Sequence, residues 1–407
     1  MNAISTISQS PRDKDFVQDP YSFYARMHAQ NPLFFWEEYG KVALAGFGAV
    51  DRVLRDRRFG RQILHVANRQ ELGWPERPAY LRDFDRIERY SLLELEPPAH
   101  TKLRRLITKA FVSRQVETLR SAIRTTCETQ LSKLKGSEVE LLRSYAMQVP
   151  LITICNLLGV SHDHGQQLLD WSHAIVRMYV LNPTQEEQLA ANRAAREFGQ
   201  FLETEIERKR AELGDDLLSA LIAVESEGEQ LTLDELISTV VVLLNAGHEA
   251  TVHQFGNAVK TILSGDHDPA ALFATPEKSA ATVEELLRFD APLHMFTRYA
   301  LEDLILEIED QSIGLKKGEE IALLLGAANR DPRAFSRPQR FDPTRGDQKN
   351  VTFGAGIHFC IGAPLARIEL QEMLAVLFEQ WPAARLAETP HYADVYHFHG
   401  LETLRVT

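Results

Sequence analysis

The chemistry of this chain concentrates in Phe353-Gly354-Ala355-Gly356-Ile357-His358-Phe359-Cys360-Ile361-Gly362, which runs into Ala363-Pro364-Leu365-Ala366-Arg367. A cysteine sits among three glycines, just before a helix that carries Pro364 in its first turn. Glycines permit positive φ and let another body approach the backbone closely. A helix start offers free N–H groups and the positive end of the dipole, which favour a thiolate over a thiol. The stretch is therefore suited to presenting one exposed sulfur anion to something large and flat. A lone cysteine taken out of this context is more often a small apolar filler.

A second stretch with chemical potential is Ala246-Gly247-His248-Glu249-Ala250-Thr251. It lies inside a helix that begins at the capping box Thr232-Leu233-Asp234-Glu235 and reaches about Leu263. The run Val240 to Leu244 is apolar on every side, so this helix is buried and central. A mid-helix glycine costs about 1 kcal/mol relative to alanine, and a buried acid needs a reason. A packing glycine beside a buried salt bridge is one reading. The other is a helix opened over a ligand, with Glu249 available for proton traffic. A metalloprotease is excluded by spacing, because His248 and His253 are five apart and lie ~140° from each other around the helix.

The elements that must position these stretches are mostly helical. Asp19-Pro20 with Tyr21, Phe23, Tyr24 and Met27 predicts a first amphipathic helix. Extended runs follow at Leu33–Trp36 and Lys41–Leu44, then a helix from about Gly48 to Asp56. Arg61 to Tyr90 has no sustained periodicity and reads as a cover of loops and short helices. A helix opens at Glu96 to Arg105, where His100 and Arg104 share one face. From Lys102 to Arg114 there are five basic residues and no acidic one. They form either a solvated face or, in part, a grip on ligand carboxylates and a dock for an acidic partner. Gln115 to about Gly214 reads as long amphipathic helices. Glu285 and Arg288 are three apart on a later helix and can pair. Leu304, Leu306 and Ile308 alternate as in a strand, and the tail reads as strand-like with His397 and His399 on one face. No third ligand lies close to those two histidines in sequence, so no metal role is assigned to them.

The 407 residues are 44 % hydrophobic and 25 % charged, ordinary for a globular chain with a real core. No repeat or linker appears, and a single domain over 1–407 is expected, mainly α with small β-sheets. A net charge of -12 excludes a basic nucleic-acid face. No apolar run long enough to span a bilayer and no signal segment is visible, so a cytoplasmic location without a membrane anchor is expected. The three cysteines, Cys127, Cys155 and Cys360, lie far apart and form no Cys-x-x-Cys pair. Neither a zinc site nor covalent haem attachment follows from them. Cys127 and Cys155 read as core filler.

Phe353-x-x-Gly-x-His-x-Cys360-x-Gly362, followed by Leu365-Ala366-Arg367, resembles the haem-ligand signature of the cytochrome P450 family. The resemblance extends in order over essentially the whole chain. It implies the haem-thiolate fold, non-covalent haem b, and Cys360 as the axial iron ligand within a loop that includes Phe353, Gly354 and Gly362. It implies that His100, Arg104, Arg298 and His358 grip the two haem propionates. Glu285 and Arg288, completed by Arg340, correspond to that family's structural charge triad. Ala246, Gly247 and Glu249 correspond to its oxygen-binding groove. The implied activity is a monooxygenase that inserts one atom of dioxygen into a small, largely apolar organic substrate. No flavin or dinucleotide fingerprint is present, so the electrons would come from an external ferredoxin system. Lys102, Arg105, Lys109 and Arg114 are the candidate dock for the ferredoxin.

One position departs from the family pattern. The residue after the helix acid is usually a threonine that relays protons, and here it is Ala250, with Thr251 next. One residue is ~100° of helix rotation, so Thr251 is not a simple replacement. The expected substitutes are Glu249 with ordered water, or a hydroxyl on the substrate. Candidate pocket residues are Phe84, Tyr90, Val242, Asn245, Ala246, Ala250, Leu293, His294, Phe296 and Phe398, a mainly apolar lining with a few polar points. Two other readings remain: a same-fold enzyme with peroxide-driven or non-oxygenating chemistry, and a haem sensor without turnover.

Overall fold

The computed structural model of the chain describes residues 4–111, 117–179, 183–226, 228–309, 311–346 and 349–407. It is mainly α-helical with small sheets, and it resolves into two compact units.

The first unit takes residues 1–66, 127–147 and 250–407. Its six-stranded sheet runs in the order Ser5–Ile7, Leu33–Trp36, Lys41–Leu44, Glu320–Leu324, Met295–Ala300, Phe59–Gly60. The register sets Leu33 against Leu44 in an antiparallel pair, and Ile321 against Val42 in a parallel one. Side chains alternate across a strand, so the sheet divides two cores. Leu33, Val42, Leu44, Ile321 and Leu323 enter one, with Val50, Val53 and Leu54 of the helix Phe47–Arg55. Phe34, Trp36, Ala43, Ala322 and Leu324 enter the other, with Phe23, Tyr24 and Met27 of the helix Pro20–Gln30. The helix Phe47–Arg55 receives a cap that its local sequence lacks: the Phe47 N–H donates to Asp331 Oδ2 at 2.8 Å. The helices Pro276–Phe289 and Ala363–Gln380 complete the part of this unit that carries the cysteine loop.

The second unit takes residues 67–126 and 148–249 and is helical. Its longest helix, Gln185–Ala211, starts with a complete capping box between Thr184 and Glu187. Trp171 stacks on Phe198 at 5.3 Å between ring centroids. The helix Ala99–Ala110 belongs here, as does the first half of Leu233–Leu263, whose second half belongs to the first unit. The capping box read from the sequence opens that helix. Thr232 N–H donates to Glu235 Oε2 at 2.8 Å, and Glu235 N–H donates to Thr232 Oγ1 at 3.3 Å.

The tail differs from the expected strand. Among the described residues it holds single bridges, Leu293 with Phe398 and Tyr392 with Leu401, and only Arg405–Val406 forms a strand. Pro390 and Gly400 interrupt the run, so the alternation of His397, Phe398 and His399 does not extend into a ladder.

Candidate functional site

The cysteine loop is held from both ends. Cys360 N–H donates to the Phe353 carbonyl at 3.0 Å, and Gly354 N–H to the Val351 carbonyl at 2.8 Å. Gly354 and Gly356 have φ of 69° and 70°, a region that glycine reaches without strain. At Gly356 a Cβ would also lie 3.0 Å from Arg55 Cα, so no other residue fits there. Gly362 is the N-cap of Ala363–Gln380, Pro364 lies in its first turn, and no acid in that turn offsets the dipole. Cys360 is half-exposed, whereas Cys127 and Cys155 are buried. Burial pushes the Cys155 thiol up to about 11, which makes it inert. A half-exposed sulfur at an uncompensated helix start, beside glycines that admit no side chain, fits an axial thiolate to a flat group.

A lattice of buried polar contacts fixes this loop. Arg288 grips Glu285 through two bonds of 2.7 Å, and both side chains are nearly inaccessible. Arg288 Nη1 also donates to the Asn329 carbonyl at 2.9 Å. The Asn329 side chain accepts from Val351 N–H at 2.9 Å and donates to Thr352 Oγ1 at 2.8 Å, and Thr352 Oγ1 donates to the Leu287 carbonyl at 2.7 Å. The Glu285–Arg288 pair is therefore coupled to the start of the loop. The expected third member, Arg340, takes part through its main-chain carbonyl, which accepts from Arg288 Nη2 at 3.2 Å, while its own side chain is exposed. The second guanidinium on Glu285 is that of Arg345, with Nε 3.2 Å from each carboxylate oxygen. Arg367, one turn into the helix Ala363–Gln380, pairs with Glu284 and lies 4.6 Å over the Phe353 ring. Sequence spacing did not single out Asn329, Thr352 or Arg345, because the partners that tie them into this lattice lie 22 to 65 positions away.

Of the candidate propionate ligands, Arg298 and His358 lie in the first unit. Arg298 is buried on the strand Met295–Ala300, and His358 ends the turn Gly356–His358 next to the cysteine. His100, buried, and Arg104, half-buried, follow one face of Ala99–Ala110 in the second unit.

The helix runs without interruption from Leu233 to Leu263. It has an uncovered stripe. Ala246 is exposed, and Gly247, Glu249 and Ala250 are partly so, between the buried runs 240–245 and 254–259. The small side chain of Ala246 and the absent one of Gly247 leave this stripe uncovered. Thr251 is buried, as its rotation from Ala250 requires. Asn245 is buried, and its Oδ1 has no hydrogen-bond partner among the described residues.

The pocket candidates divide. Leu293 and Phe398 pair in a bridge, and Phe296 lies 3.4 Å from where a Gly354 Cβ would sit. His294 instead turns into the core, with Nδ1 2.7 Å from the Tyr24 hydroxyl. In the second unit Val242 is buried on the long helix, Phe84 is buried, and Tyr90 is half-covered beside Arg89. That unit also has a cleft of about 230 Å³ lined by Arg82, Arg86, Arg196, Glu203 and Asp234, too charged for an apolar substrate.

The basic stretch is partly neutralised within its own unit. Lys102 Nζ pairs with Glu235 at 2.9 Å, and Arg105 pairs with Glu229. Local charge counting saw no acid because these partners come from residues more than a hundred positions away. Arg114 lies outside the described residues. No helix among the described residues is long and apolar enough to cross a membrane.

The comparisons with known proteins agree with this geometry. The sequence model of the family described as Cytochrome P450 matches residues 279–383. The chain is 30 % identical over 408 residues to the polyketide biosynthesis cytochrome P450 PksS of Bacillus subtilis, covering 98 % of each chain. It is 37 % identical over 382 residues to 6-deoxyerythronolide B hydroxylase of Saccharopolyspora erythraea, covering 91 % of each. The crystal structure of P450BioI in complex with an acyl carrier protein ligated to hexadec-9Z-enoic acid superposes with a TM-score of 0.86. It is 29 % identical, over 97 % of this chain and 99 % of that one.

Proposed function

This chain belongs to the cytochrome P450 family, and on that premise we propose that it oxygenates a largely apolar organic substrate of the polyketide or fatty-acyl type with electrons from a ferredoxin. It is a haem b monooxygenase of the P450 class. When bound, haem with a thiolate ligand supplies the chemistry of O–O cleavage. Every other task falls to the chain's own residues.

The observation that carries the reading is the half-exposed Cys360 at the start of Ala363–Gln380, in a loop tied to the Glu285–Arg288 pair through Asn329 and Thr352. In this proposal Cys360 would hold the haem iron through its thiolate. Arg298 and His358, with His100 and Arg104, neutralise the two propionates through charge-assisted hydrogen bonds. The uncovered stripe from Ala246 to Ala250 leaves room for dioxygen and substrate. Glu249, half-exposed on that stripe, moves protons through ordered water or a substrate hydroxyl, because Ala250 has none to offer. The substrate class rests on relatives named for polyketide biosynthesis and for 6-deoxyerythronolide B, and on a neighbour solved with an acyl carrier protein bearing a fatty acid. A cytoplasmic location goes with this proposal.

The test has two parts. The reduced CO complex of the wild type must show the red-shifted Soret band of a thiolate ligand, and Cys360→Ser must lose that band. Macrolide aglycones, free fatty acids and acyl-carrier-linked fatty acids are then screened for a spin-state shift. Hits are assayed for product with ferredoxin, reductase and NAD(P)H, and separately with peroxide. Product only with peroxide would overturn the ferredoxin assignment, and no shift with any of the three classes would overturn the substrate class.

A further inference from the structure

Asp290 and His294, four residues apart, meet the distant His399 in the interior of the first unit. The three residues offer ligand atoms that all lie within 4.8 Å of one another. Their exposures are 5 %, 0 % and 1 %, so water does not satisfy them. His294 Nε2 and both ring nitrogens of His399 have no hydrogen-bond partner among the described residues. Of these, His399 Nε2 faces Asp290 at an ion-pair distance, so His294 Nε2 and His399 Nδ1 are the buried nitrogens that require an explanation.

The surroundings are built around these rings. A Cβ on Gly326 would come within 2.9 Å of His294 Nδ1, so only glycine leaves room for that ring. His294 Nδ1 lies 2.7 Å from the Tyr24 hydroxyl, which lies 2.8 Å from that of Tyr396. With Nδ1–H donating to Tyr24, Nε2 is left with a free lone pair, the arrangement that orients a metal-binding histidine. Tyr21 donates to Asp290 Oδ1 at 2.7 Å and Tyr392 to Oδ2, which fixes the plane of the carboxylate. The two segments carrying Asp290 and His399 are joined by Asn257, whose Nδ2 donates to the His399 carbonyl at 2.8 Å and to the Asp290 carbonyl at 3.3 Å.

The spacing of one pair is compatible with a metal as well as with the ion pair it makes. His399 Nε2 lies 3.4 Å from Asp290 Oδ1. Bonds of about 2.0–2.2 Å to a tetrahedral zinc place neighbouring ligand atoms roughly 3.3–3.5 Å apart. The His294 and His399 rings lie side by side, with centroids 4.3 Å apart. Two imidazoles and one carboxylate are a borderline donor set, suited to zinc and its first-row neighbours rather than to calcium or magnesium. Arg330 and Lys260 lie over Tyr21 and Tyr392, at 4.1 and 3.9 Å from the ring centroids. Their charge lowers the affinity for a dication without occupying a ligand position.

We propose that Asp290, His294 and His399 form a structural site for a divalent transition metal, with Zn²⁺ the probe, separate from the haem iron. The site ties the end of the helix Pro276–Phe289 to the C-terminal tail.

Haem-loaded protein is dialysed against chelator, exposed to Zn²⁺ up to about 100 µM, gel-filtered, and counted for zinc and iron by mass spectrometry. The expected result is about one retained zinc per chain and a higher unfolding midpoint, with both effects lost in His294→Gln and His399→Gln. Zinc X-ray absorption on the wild type, which needs no variant to fold, should show two imidazoles in the shell. An unmoved midpoint with no retained zinc, equal retention in the variants, or a shell without imidazole would each overturn the site.

Discussion

Replacing Arg345 with leucine should damage the protein far more than replacing Arg340 with alanine, although both arginines follow the same Pro-rich run. The Arg345 side chain is 7 % exposed, with Nε 3.2 Å from both oxygens of Glu285. Its Nη atoms donate to the carbonyls of Ser336, Arg337 and Arg340. Breaking a buried ion pair costs about 3–5 kcal/mol when it leaves a charge uncompensated. Here Glu285 keeps both bonds from Arg288 and one from Asp342 N–H at 2.9 Å, so the cost from that source is smaller. The Ser336 and Arg337 carbonyls losing a donor add roughly 0.5–1.5 kcal/mol each, while that of Arg340 keeps its bond from Arg288. A total near 3 kcal/mol is reasonable for Arg345→Leu, a factor of roughly 100 in the folded-to-unfolded ratio. Arg340 contributes only its carbonyl, which alanine retains, so Arg340→Ala should stay within about 0.5 kcal/mol. The assay is thermal unfolding of haem-loaded protein, followed at the Soret band and by circular dichroism, with the fraction of reduced CO complex absorbing at the thiolate position as a second readout. Equal loss in the two variants would refute the assignment of Arg345 as the second guanidinium on Glu285.

Three further outcomes are expected. Lys109→Glu should slow reduction by a ferredoxin several-fold at low salt and leave substrate binding unchanged, whereas Lys102→Glu should first cost about 1 kcal/mol of stability by unseating Glu235; stopped-flow reduction and unfolding midpoints separate the two. His397 is held down to about 4 by burial, with Arg61 and Lys41 adding to the effect, so below pH 6.5 the unfolded chain binds a proton that the folded chain refuses. Stability should therefore be unaffected by this group above pH 6.5 and fall by up to about 3 kcal/mol between pH 6.5 and 4, a slope that His397→Gln should flatten in denaturant titrations. Ala250→Thr should change the ratio of product to NAD(P)H consumed with the natural substrate, and an unchanged ratio would show that the hydroxyl at this position has no part in proton delivery.

What could be read in advance depended on how local its cause is. The strands Leu33–Trp36 and Lys41–Leu44 and the helix Leu233–Leu263 follow from short-range periodicity and a capping box, and they occur at the expected places. The cysteine loop was legible for the same reason, since its glycines and the following helix start are neighbours in the chain. Arg345, Asn329 and Asp331 were not, because each acts on a partner far away, and any of several arginines between Arg330 and Arg345 could have met Glu285. The basic stretch shows the converse error: a run of cations looked free because its acids, Glu229 and Glu235, come from a distant segment. His294 and His399 combine both effects. Each is unremarkable alone, and their third partner, Asp290, is four residues from one and more than a hundred from the other. The side of the site set by backbone geometry was therefore accessible to sequence reasoning. The side set by which polar side chains the fold brings together was not, as Asn329 and Arg345 show.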